Sequence, residues 1–151
     1  MIPLHRLVAL GVGAILVASC ASDVAEQSLS GYQLNPAPSV AAFSLPDVSA
    51  NGDDFPFMAQ KEHLLIVYFG YTACPDVCPT TLAEVKQALK QLGDDQAAKI
   101  DLAMATVDPD RDSSEIVTGY VQSFVPNAHA LRTDDADELQ TVATAFGASY
   151  S

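Results

Sequence analysis

Basic residues are scarce in this chain: 7 Lys and Arg stand against 19 Asp and Glu in 151 residues, a net charge of −12. That balance leaves no basic footprint for phosphate backbones or anionic headgroups, so nucleic acid is excluded as a partner, and cations and basic proteins are favoured. Low-complexity sequence is lacking too. With 8 Gly and 9 Pro, 49% hydrophobic and 17% charged residues, the chain is neither collagen-like nor disordered and fits an α/β or α+β domain. No internal repeat occurs, and the length suits one domain rather than two, hence one site. Cysteine is sparse and odd in number: of the 3 present, one is left over from any pair in an oxidising compartment.

His5 and Arg6 are followed by an uncharged apolar run from Leu7 to Ala18, then Ser19 and Cys20. The run is short for a membrane-spanning helix and reads as the h-region of a secretory signal, with an uncleaved anchor as the alternative. Val17-Ala18-Ser19-Cys20 resembles the lipobox of bacterial lipoproteins, which implies a lipid-modified Cys20 and an extracytoplasmic, periplasmic-side protein held at a membrane. Residues 1–19 are then the signal. Residues 20–42, rich in Ala, Ser, Pro and Gln without an apolar period, form a tether with a typical reach of roughly 25 Å.

The domain is expected over residues 43–151. Phe43 to Val48 and Phe55-Pro56-Phe57 flank Asn51-Gly52 as a hairpin. Leu64 to Phe69 is a continuous apolar run, expected to be a central strand covered on both faces. Leu82, Val85, Leu89 and Leu92 recur at helical spacing after Pro79, and Gly93 ends that helix. Ile100 to Val107 is the next strand. Ile116, Tyr120 and Phe124 mark a second helix, and Ala130-Leu131-Arg132 a short strand. Asp134, Asp135, Asp137 and Glu138 open a third helix, whose buried face is Leu139, Val142, Ala143 and Phe146. The order β, α, β, α, β, α after a hairpin predicts an α/β fold with a mostly parallel central sheet and flanking helices.

Cys74 and Cys78 fall between the best strand and the best helix, where ligand sites of parallel sheets lie. Four residues apart at a helix entrance, the sulfurs face one way, and the helix amides stabilise thiolate. Pro79 suits the first turn. Three readings compete: a structural disulfide, thiol–disulfide exchange, and a soft-metal site for Cu(I) or Zn. Spacing does not separate the last two.

The run Val67-Tyr68-Phe69-Gly70-Tyr71-Thr72, then Cys74-Pro75-Asp76-Val77-Cys78-Pro79, with Val107-Asp108-Pro109-Asp110-Arg111-Asp112 downstream, closely resembles the Sco/SenC family of thioredoxin-fold copper proteins. Phe43-Ser44-Leu45-Pro46-Asp47 resembles that family's entry strand. The resemblance implies a thioredoxin-like domain. It also implies a metallochaperone that holds copper, as Cu(I) or Cu(II), through Cys74 and Cys78. The implied partners are the copper-bearing subunit of cytochrome c oxidase, whose dinuclear centre it helps assemble, or another copper chaperone. Reduction of the target's cysteines is a linked role, with Cys74 and Cys78 as the redox pair.

Two parts of the family pattern are missing. Its third ligand, a histidine within Asp-His-Ser or Asp-His-Thr, has no counterpart here: the histidines are His5, His63 and His129. His63 precedes the strand whose other end leads to the cysteines, about 20 Å away, and His129 opens a parallel strand, so neither is assigned to copper. A terminal strand pair and helix, on the order of 30–40 residues, are also expected beyond Phe146. Without them the sheet keeps an open edge. Asp108, after a parallel strand, is a candidate support for the cysteine loop. Asp110 and Asp112 read as turn and capping residues, and Tyr68 and Tyr71 as packing residues.

Overall fold

The computed structural model describes residues 31–150, and residues from Gln33 onward form one unit. The signal segment and Cys20 lie outside the described residues. Gly31 to Ala42 carries no helix or strand and is largely exposed, although Val40 packs against the core. No helix among the described residues is long and apolar enough to cross a membrane.

The elements are β1 (Ser44–Asp47), β2 (Asp53–Pro56), β3 (Leu64–Gly70), α1 (Val77–Leu92), α2 (Asp94–Ala97), β4 (Ile100–Thr106), α3 (Ser114–Phe124), β5 (His129–Leu131) and α4 (Ala136–Ala145). They match the predicted order, with the four-residue α2 as the one addition. The strands form a single sheet in the order β2-β1-β5-β4-β3. β3, β4 and β5 run parallel, and β1 joins β5 and β2 antiparallel. The hairpin turns where expected: Asn51 and Gly52 have φ of 64° and 82°, the left-handed conformation that Asn and Gly tolerate best.

Strand alternation sends side chains to two separate cores. Leu102 and Met104 of β4 join Leu82 of α1 with Val117 and Val121 of α3. Ala103 and Ala105, facing the other way, join Leu45, Phe57, Leu131 and, from α4, Leu139 and Val142. α3 and α4 start where the sequence supplies a cap. Ser113 Oγ accepts from the Ile116 amide, and the Asp135 carboxylate accepts from the amides of Asp137 and Glu138. α1 stops at Gly93, whose φ of 77° requires no Cβ.

One expectation fails. Among the described residues β3 is not a central strand covered on both faces: it lies at the end of the sheet, pairs with β4, and is only partly buried along most of its length. Leu64 is 56% exposed. A continuous apolar run reports that both faces are hydrophobic, not that both have been given a neighbour.

Candidate thiol site at the C-terminal end of the sheet

β3 ends at Gly70, and that residue is set by close approach. A Cβ there would lie 2.6 Å from Tyr68 Cε1 and 3.2 Å from Cys78 Sγ, so only glycine lets the chain turn over the buried thiol. Five residues then lead to Asp76 at the N-cap of α1, which makes no side-chain capping bond. A sulfur takes over part of that role: Cys74 Sγ accepts from the Cys78 amide at 3.3 Å. Pro79, in the same first turn, has no N–H to satisfy.

The two thiols are free, Cys78 buried and Cys74 partly exposed. Their environments push them in opposite directions. The Cys78 side chain, then the amides of Cys78, Asp76 and Val77, hold the Cys74 thiol below its ordinary pKa. Burial, followed by the bond to Cys74, raises Cys78 even though the Tyr68 hydroxyl and the Tyr71 amide work the other way. Burial and the contact with Cys78 in turn raise Tyr68. The pair therefore offers one accessible, activated sulfur and one sheltered sulfur that stays protonated.

Two clefts meet at this loop. One, of about 350 Å³, is lined by Tyr68, Phe69, Cys74, Val77 and Cys78 among others. The other, of about 580 Å³, includes Tyr71, Ala73, Val107, Asp108 and Arg111. Asp108 thus lies beside the cysteine loop, but its carboxylate accepts from Arg111 Nε rather than meeting a sulfur.

Asp112 differs from its sequence reading. Ser113 is the helix cap, and Asp112 is fully buried. Its Oδ2 accepts from the Thr72 amide at 3.0 Å and from Thr106 Oγ1 at 2.6 Å, while Oδ1 accepts from Thr72 Oγ1. Tyr68, read as packing, brings its ring to the same spot over Gly70 that the Cys78 sulfur occupies. Strand parity carried that signal, since Tyr68 and Gly70 share the face toward α1. Nothing local pointed to Asp112, whose partner is 40 residues away.

The histidines are not brought to the thiols. His63 precedes β3, and its Nδ1 lies 3.4 Å from Asp101. His129 sits level with Ala103, partway along β4. Its Nδ1 is 2.6 Å from buried Asp47, and its ring lies against Phe55. Among the described residues no group of three or more His, Cys, Asp and Glu is placed to hold a metal ion. Two free thiols one helical turn apart at the start of α1 are donors of the type suited to Cu(I).

A parallel sheet entered by a hairpin, with two cysteines at the first helix after a strand, defines a thioredoxin-like dithiol domain. Residues 33–151 match the SCO1/SenC family, and the chain belongs to it. It is 33% identical over 106 residues to an SCO2-like protein of Rickettsia prowazekii, covering 69% of this chain and 50% of that protein. The solved structure of Bradyrhizobium japonicum ScoI with copper bound is 34% identical, with a TM-score of 0.58 over 70% of this chain and 64% of that one. BsSco is described as a member of the Sco family of cytochrome c oxidase assembly proteins with a disulfide switch. At 18% identity and a TM-score of 0.54, over 72% of this chain and 64% of that one, it shares the fold. The chain spans about half the length of the curated relatives it matches.

Proposed function

We propose that this protein is a membrane-tethered copper metallochaperone, carrying copper on Cys74 and Cys78 for the dinuclear copper centre of cytochrome c oxidase. The observation that carries the reading is the placement of the two free cysteines: Cys74 Sγ accepts from the Cys78 amide at the entrance of α1, at the end of the sheet where ligands bind. Copper is the cargo. Two thiolates favour Cu(I), binding releases the Cys78 proton, and the partly exposed Cys74 is the sulfur a recipient reaches first. The supporting organisation is a signal over residues 1–19, a lipidated Cys20 with a tether to residue 42, and a domain over 43–151 on the periplasmic side. The copper-bound Bradyrhizobium relative supports the metal.

A second reading, extracytoplasmic thiol–disulfide reduction, is favoured by the opposed thiol environments. The Cys74 thiolate attacks a target disulfide, one target thiolate leaves, and Cys78 then displaces the other while closing its own disulfide. Competition for Cu(I) against a chelator, with Cys74→Ala and Cys78→Ala, separates the two. The copper reading expects one Cu(I) per wild-type chain and at least a hundredfold loss in each variant. Micromolar or weaker binding in the wild type, with reduction proceeding without metal, gives the site to the reductase.

A further inference from the structure

Asp112 touches neither sulfur, yet it closes the frame in which they sit. Both of its oxygens are spent on Thr72 and Thr106, and Thr72 stands two residues ahead of Cys74. Thr106 ends β4, and its Oγ1 also accepts from the Asp108 amide at 3.1 Å. From the other side Arg132 donates through Nε to the Asp112 carbonyl at 2.8 Å and through Nη2 to the Pro109 carbonyl at 3.1 Å. The segment that presents Asp112 is thereby fixed to the residue that directly follows β5. The cysteine loop is otherwise held locally, by the Cys74 amide donating to the Tyr71 carbonyl at 3.3 Å. From this arrangement we infer that Asp112 is the positioning residue of the dithiol: by anchoring Thr72 to β4, it keeps Cys74 beside Cys78.

The physical effect is pre-organisation. A disulfide between the two cysteines, and a copper ion shared by them, both require the sulfurs to meet, and each loses favourable free energy if the loop must first be ordered. The inference rests on the dithiol reading of the site and names what holds it together. Its readout needs no copper. Protein dithiol plus glutathione disulfide exchanges with protein disulfide plus two glutathione thiols, and the equilibrium constant measures how readily the sulfurs join.

Asp112→Ala is expected to lower that constant about tenfold, equivalent to ~30 mV for this two-electron couple. Asp112→Asn, which keeps the shape, one carbonyl acceptor and an amide that donates to Thr72 Oγ1, is expected to return to within about twofold of wild type. Thr72→Val removes one hydroxyl bond and is expected to fall between them. Val142→Ala weakens the core on the opposite face of the sheet, and should lower the unfolding midpoint while leaving the constant unchanged. The inference is overturned if Asp112→Ala leaves the constant unchanged or raises it, or if Val142→Ala lowers it equally. Should Asp112→Ala not fold, an unchanged constant in Thr72→Val overturns it alone. Failure of the copper reading would appear separately, as wild-type protein with a normal disulfide equilibrium and no Cu(I) bound.

Discussion

The two faces of β3 carry similar side chains and are covered to a similar degree, but the helices beyond them differ in what they bring. Toward α1 and α3, Ile66 and Tyr68 are half-buried against a core in which Leu82, Val117 and Val121 are wholly sealed. On the other face Leu65, Val67 and Phe69 are half-buried against a core that includes Leu131, Leu139 and Val142. The sealed positions therefore lie in the layers beyond β3, and hydrophobicity along the strand does not tell where the structure is strong. Cys78 is buried on the α1 face, next to the Tyr68 ring at Gly70, so only that face carries chemistry.

The largest contrast should come from truncating one sealed side chain beyond β3 and one on the strand itself. Leu82→Ala is expected to cost about 3 kcal/mol in urea unfolding, and Val67→Ala about 1 kcal/mol, because a half-covered methyl leaves no sealed cavity. Equal losses would erase the distinction. Next, Gly70→Ala should destabilise by about 1–3 kcal/mol, since the added methyl must displace Tyr68 or Cys78 on the α1 face. A neutral result would mean that face has slack.

A smaller effect tests the far side of the sheet. Burial raises the Asp47 carboxyl, but hydrogen bonds from Ser49 and His129 outweigh it and hold the carboxyl below its usual pKa. A depressed carboxylate adds stability that is present above the unfolded value near ~3.9 and is lost as pH falls through the lower folded value. Asp47→Asn should therefore lose about 1–2 kcal/mol at pH 7 and show a shallower acid limb in thermal melts. A parallel acid limb in the variant would reject that assignment. The least costly change is Leu64→Lys at the exposed start of β3, expected to alter stability by less than ~0.5 kcal/mol.

Much of this was legible in local pattern. The helical stripe through Leu82, Val85 and Leu89, the Asn51-Gly52 turn and the acids opening α4 each carry their own signal within one element. So did the cysteine pair, because a strand and a helix bracket it. What escaped was relational. The position of β3 at the end of the sheet depends on which strands lie beside it, and an apolar run is silent about neighbours. Asp112 and Thr72 look like ordinary turn residues until β3 and β4 stand side by side.

That last pairing also orders events in time. Thr72 and Asp112 are 40 residues apart, and a contact that distant closes a long loop whose entropy is recovered only once β3 has zipped onto β4. A newly made chain therefore carries both thiols on an unordered segment before the bond forms. During that interval the cysteines are open to any oxidant present, and the speed of strand pairing decides how many molecules reach the finished fold with their sulfurs still reduced.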